Sequence, residues 1–132
     1  MYMVADRGCI ELAFLGDAEF TRYVRYRLVS ESAGKAGALT GAANRLVSAV
    51  FQSYYFTELS GELSEAEADV ARRARNAHVP AHAKNAGMAD YKRATALEAV
   101  FGWLSLSGDR ERLEFLMDRC FGLGKIRLAE AK

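Results

Sequence analysis

Two carboxylates are the residues of this chain best placed to do chemistry. Asp17 lies in Leu12-Ala13-Phe14-Leu15-Gly16-Asp17-Ala18, and Glu98 in Ala94-Thr95-Ala96-Leu97-Glu98-Ala99-Val100-Phe101-Gly102. Each is a single acid inside an apolar helical run, where a charge is costly unless it is paired or holds a metal ion. Brought together, two such groups make a site for a hard divalent cation. Magnesium keeps several waters and often takes only one or two carboxylates plus a substrate phosphate. It can polarise a phosphoryl oxygen and lower the pKa of a water for in-line attack. Gly16 and Gly102 favour this reading, because a mid-helix glycine costs about 1 kcal/mol against alanine and lets a backbone or ligand approach closely. The competing reading pairs Asp17 and Glu98 with arginines, in the core or at a dimer seam.

The second constellation is basic. Residues 72–93 hold six bases against one acid, Asp90, and follow a stretch, 58–69, with five acids and no base. Arg72, Arg73, Arg75, Asn76, Lys84 and Asn85 flank a segment at 78–88 that reads as a loop. Arginine forks suit phosphates, and asparagine can donate to a 2′-hydroxyl. Duplex RNA is read largely by shape, so no base-reading motif is required. The alternative is internal: acids at a helix start and arginines at its end complement the helix dipole. Weaker constellations fall away. His78 and His82 are separated by Pro80 and have no third soft ligand for zinc. Glu11 lies about 120° from Asp17 around a helix, on a face it shares with Glu19; both read as solvated, with Glu19 near Arg22.

These residues need helices to carry them. The first is expected over about 8–29, with Ile10, Ala13, Phe14, Phe20, Tyr23, Val24 and Leu28 as a broad apolar face. A glycine-bearing loop at 30–37 leads to a second helix, about 39–59. Ser64-Glu65-Ala66-Glu67 is a capping box that opens a third helix ending near Asn76 or Ala77. A fourth helix, about 89–107, carries Glu98. Asp109 is positioned to cap a fifth, which Gly122 and Gly124 are expected to end, leaving 125–132 as a tail.

Length and composition agree with one all-α domain. The chain has 132 residues, a net charge of +1, 51% apolar residues, 27% charged residues and one proline. Cys9 and Cys120 have no metal-like spacing and fit a reducing, cytoplasmic setting. Arg7 and Glu11 interrupt any apolar start, and no apolar run reaches spanning length, so neither a signal peptide nor a membrane partner is expected. The expected organisation is a single domain over 1–132, with its core at about 8–122.

The same motifs resemble the ribonuclease III catalytic domain, and within it the short bacterial branch, Mini-ribonuclease III, which lacks a separate RNA-binding domain. Phe14-Leu15-Gly16-Asp17-Ala18 is similar to the family signature, with Ala13 where the larger enzymes carry a glutamate and Ile10 at the signature's first glutamate. Glu98 matches the later family glutamate, and Thr95 stands where an aspartate precedes it. Two of the four acids of the larger enzymes are therefore absent, as in the short branch, which pairs an alanine-type signature with an Ala-Thr-x-x-Glu-Ala helix. Val47-Ser48-Ala49, Arg72-Arg73-Ala74-Arg75-Asn76-Ala77, Lys84-Asn85-Ala86 and Tyr91-Lys92-Arg93-Ala94-Thr95 extend the resemblance over roughly 11–117. Departures are Glu19, Val50, Ala83 and Ala96-Leu97.

The resemblance implies a helical bundle of the ribonuclease III type, paired as a two-fold homodimer with one site per RNA strand. It implies a magnesium-dependent endoribonuclease, with manganese as a substitute, acting on double-stranded or structured RNA. The family role is large-subunit ribosomal RNA maturation, with a ribosomal protein as a possible partner. Asp17 and Glu98 would be both catalytic and metal-binding, Glu98 as direct ligand and Asp17 holding the ion or the attacking water. Arg72, Arg73, Arg75, Asn76, Lys84 and Asn85 would bind RNA. The alternative function is a non-catalytic helical module of the same fold that grips RNA or the ribosome.

Overall fold

A computed structural model describes residues 8–31, 34–77 and 87–130. Six α-helices follow in order: α1 (Cys9–Glu31), α2 (Ala36–Leu46), α3 (Ala49–Leu59), α4 (Glu65–Arg75), α5 (Met88–Ser107) and α6 (Arg110–Glu130), with a 3-10 turn at Ser60–Glu62 between α3 and α4. No strand occurs among the described residues, as expected for an all-α chain.

Helix α5 is the central element. It packs most extensively on α1 and also contacts α3 and α4. It can serve as the axis because small and apolar residues surround it: Ala94, Ala96, Leu97, Ala99, Val100, Phe101 and Leu104 are all buried. A helix apolar all round belongs in a core. Phe20 of α1 meets Phe101 of α5 at 5.3 Å and Tyr55 of α3 at 5.9 Å between ring centroids. These aromatic contacts tie three helices to one centre.

Two boundaries differ from the sequence reading, and both affect the site. The single helix expected over 39–59 is two, broken at Val47-Ser48. The Ser48 side chain accepts from Phe51 N and caps α3. A hydroxyl that satisfies an orphan amide makes the break favourable even though the apolar pattern runs through it. The last helix does not stop at Gly122 or Gly124 but runs to Glu130. Gly124 is there for proximity: a Cβ would lie 2.3 Å from the Tyr55 hydroxyl and 2.5 Å from a Leu46 methyl. That hydroxyl donates to the Leu46 carbonyl at 2.8 Å, so α6 closes over the junction of α2 and α3.

The capping box is present, and its glutamate has a second task. Glu67 accepts from Ser64 N at 2.8 Å. Both its oxygens also accept from the Arg112 guanidinium at 2.9 Å. Burial raises the Glu67 pKa, but the bonds from Arg112 and Ser64 outweigh it and hold the carboxyl below its ordinary range. The start of α4 is thereby fastened to the start of α6, which Asp109 caps by accepting from Arg112 N at 3.2 Å. Glu19 lies near enough to Arg22 to feel its charge, as expected, but it is not simply solvated. It accepts from Ser105 at 2.5 Å and Arg110 at 2.8 Å, joining α1 to α5 and α6.

Helix α1 also leaves apolar surface uncovered. Phe14 is 82% exposed and Ile10 50%, although both were expected on the core face. The core takes Leu12, Ala13, Gly16, Phe20 and Val24 instead.

A candidate carboxylate site between the first and fifth helices

The site follows from a helix crossing. A Cβ at Gly16 would stand 1.7 Å from the Glu98 carbonyl oxygen and 2.9 Å from Gly102 N. A Cβ at Gly102 would stand 1.9 Å from the Leu12 carbonyl oxygen. The helices α1 and α5 thus meet backbone to backbone, which only glycine permits. The next residue along α1 is Asp17, and the helix it meets presents Glu98. The crossing brings the two carboxyl groups, about eighty residues apart in sequence, close enough for Asp17 to act directly on Glu98. Neither is joined to an arginine by an ion pair among the described residues, so the pairing with arginines within the core is not what the structure adopts.

The two groups are not equivalent. Asp17 is exposed, not enclosed in the apolar run as the sequence suggested, whereas Glu98 is half-buried. Burial first, and then the neighbouring Asp17, push the Glu98 pKa up to about 8, while a hydrogen bond from Gln52 pulls the other way. Two carboxylates sharing a partly dry site repel each other unless a proton or a cation lies between them. The open side of Asp17 leads into a shallow groove along α1 lined by Thr21, Arg22, Arg25 and Tyr26.

Gln52 belongs to the site and has no counterpart in the sequence reading. Its amide nitrogen donates to the Val47 carbonyl at 2.9 Å and to Glu98 Oε2 at 3.2 Å. Its own oxygen is buried and finds no donor among the described residues. A polar residue amid Val50, Phe51 and Tyr54-Tyr55 was the available signal, but the expectation of one unbroken helix hid the corner that aims it.

The donor set fits a hard, oxygen-seeking cation. Two carboxylates converge, Glu98 accepting from the Gln52 amide nitrogen, and among the described residues no sulfur or imidazole joins them. No cluster of three or more histidine, cysteine or acidic residues occurs among the described residues. Two carboxylates suit magnesium, which dehydrates reluctantly and retains waters, and do not suit an all-protein zinc cage.

The basic constellation is only partly in view. Arg72, Arg73, Arg75 and Asn76 are exposed at the end of α4. Arg72 donates to Asp69 at 2.5 Å and Arg73 at 3.2 Å. Arg75 lies over the Phe56 ring at 5.8 Å. Asn76 is the C-cap residue of α4. Lys84 and Asn85 lie outside the described residues, as do His78 and His82. Among the described residues no hydrogen bond or ion pair joins these arginines to the carboxylate pair.

Both cysteines are free. No described helix is long and apolar enough to cross a membrane.

Comparison with known proteins agrees with this geometry. The Ribonuclease III domain model matches residues 10–109. A Mini-ribonuclease 3 of Brevibacillus brevis is 44% identical over 112 residues, covering 85% of this chain and 84% of that protein. A Mini-ribonuclease 3 of Streptococcus pneumoniae is 36% identical, covering 84% and 88%. Among solved structures, a crystal structure of a Fusobacterium nucleatum protein superposes with a TM-score of 0.78 at 27% identity, covering 86% of this chain and 90% of that one. The matched residues span both halves of the helix crossing and the two carboxylates it joins: the chain belongs to the ribonuclease III family of endoribonucleases, alongside the Mini-ribonuclease 3 proteins.

Proposed function

We propose that this protein is a magnesium-dependent endoribonuclease that cleaves double-stranded or structured RNA with Asp17 and Glu98 as its catalytic and metal-binding residues. The observation that carries this reading is the contact between the two carboxyl groups across the Gly16–Gly102 crossing. Bound there, magnesium, or manganese in its place, would supply a Lewis acid for a phosphoryl oxygen and a more acidic water. Glu98, held within the fold, is the direct ligand. Asp17, facing the open groove, orients the ion or the attacking water toward the phosphodiester. The substrate grip comes from Arg72, Arg73, Arg75 and Asn76, together with Lys84 and Asn85. The Asp69 pairs do not oppose this, because exposed ion pairs are screened by water and exchange readily for phosphate.

The functional unit is a homodimer of this catalytic domain. Exposed Phe14 and Ile10, one and two turns before Asp17 on α1, support that assembly. The relatives' kinship supports a role in large-subunit ribosomal RNA maturation in the cytoplasm, with a ribosomal protein as a further partner. The test is cleavage of long duplex RNA by the purified protein with magnesium, with chelator, and by Asp17→Asn. Cleavage only by the unaltered protein with the ion supports the reading. Binding without cleavage in magnesium would overturn it in favour of a non-catalytic RNA-binding module.

A further inference from the structure

Gln52 is the only glutamine in the sequence, and it is 2% exposed. Its orientation is forced. The Val47 carbonyl and Glu98 Oε2 are both acceptors, so the amide nitrogen must face them. Turned over, Oε1 would meet two oxygens. Oε1 is therefore held on the other side, buried and without a donor among the described residues. An unsatisfied buried acceptor costs about 1–3 kcal/mol. Methionine has nearly the same shape and would fill the volume without that cost. Packing alone does not account for a glutamine here, whereas its bond to Glu98 does.

Resting on the nuclease reading above, we propose that Gln52 is a positioning residue of the cation site, clamping one oxygen of Glu98 so that the carboxylate keeps a fixed plane beside Asp17. The clamp is built on a rigid corner. Ser48 caps α3 one turn before Gln52, the Val47 carbonyl holds the amide from the end of α2, and Tyr55 ties the same corner through Leu46. With Oε2 engaged, Glu98 cannot swing away from the second acid when a cation draws both groups in. Outer partners that orient a ligand are worth about 10–100-fold in metal affinity or activity.

Two measurements test this. In Gln52→Met, the magnesium or manganese concentration for half-saturation, read by calorimetry or by manganese paramagnetic resonance, should rise about 10–100-fold. The melting temperature in chelator should stay level or rise, and duplex RNA binding without a divalent ion should be unchanged. In the wild type, labelling glutamine side-chain nitrogen gives a single amide pair. That pair should shift on magnesium addition, with the same midpoint as calorimetry, and should stay still in Glu98→Gln. If Gln52→Met does not fold, the wild-type amide titration decides alone. An amide pair that is unmoved at saturating magnesium, or Gln52→Met affinity within twofold of wild type, overturns the clamp while leaving the nuclease reading intact. A wild type that neither binds magnesium nor cleaves RNA removes both.

Discussion

Replacing Gly16 by alanine isolates the contact on which the site depends. The added methyl would stand 1.7 Å from the Glu98 carbonyl oxygen. Ordinary carbon contacts lie at about 3.5–4.0 Å, so α1 and α5 must part by about 2 Å at the crossing. The obstacle is backbone, not the flexible end of a side chain, so local rotamer changes cannot absorb it. Overpacking of this kind costs about 3 kcal/mol, the upper part of its usual range. Alanine returns about 1 kcal/mol of helix propensity. The net loss of about 2 kcal/mol corresponds to roughly 8 °C in Tm for a chain of this size. Gly122→Ala is the internal control: it is also a helix-interior glycine, but no atom lies within 4 Å of its added Cβ. There the propensity term acts alone, and Tm should rise by about 2–4 °C. Thermal unfolding by circular dichroism reads both. In Gly16→Ala the separation also moves Asp17 from Glu98, so cleavage should fall further than the lost fraction of folded protein explains. A Gly16→Ala protein as stable as wild type, with Gly122→Ala behaving as expected, would refute the backbone crossing and the site built on it.

Further outcomes follow from the same geometry. Asp17→Asn and Glu98→Gln should each abolish RNA cleavage while keeping the helical spectrum and RNA affinity; undiminished cleavage by Asp17→Asn would remove it from the catalytic pair. Glu98 binds its proton more tightly folded, at about 8, than in the unfolded chain. In chelator, its contribution to stability should therefore fall as pH rises from about 4.5 to 8 and then level off. Glu98→Gln should lose that component of the slope in urea titrations at several pH values, and magnesium should offset it in the wild type. Arg73→Ala should flatten the salt dependence of duplex RNA binding by about one unit of log–log slope, with Tm changed by little because its Asp69 pair is exposed. A lowered Tm with an untouched salt slope would instead assign Arg73 to the helix alone. Phe14→Glu should convert a dimer to a monomer by light scattering at tens of micromolar; an unchanged dimer would place the seam elsewhere.

The helical class, most of the helix positions, the family and the two candidate acids are legible in the sequence. These are local properties. Apolar spacing, the Ser64–Glu67 capping box and the runs around Asp17 and Glu98 act within a few residues, so they can be read without knowing what they touch. Phe14-Leu15-Gly16-Asp17, and Ala94-Thr95 with Glu98-Ala99 at their fixed spacing, also carry the family resemblance within a few letters. What the letters do not carry is which helix faces which. Val47-Ser48 looks like mid-helix until Ser48 is seen to cap α3, and Gly124 looks like a helix end until Tyr55 is found against it. Phe14 looks like core until α1 turns Gly16 toward α5, since residues two apart lie about 200° around a helix and burying Gly16 turns Phe14 outward. Gln52 gives only the faint signal of a polar letter in an apolar run. Its meaning comes from a carbonyl and a carboxylate delivered by two other helices, and only the packing of α1, α3 and α5 on one another decides that two acids and an amide share a single site.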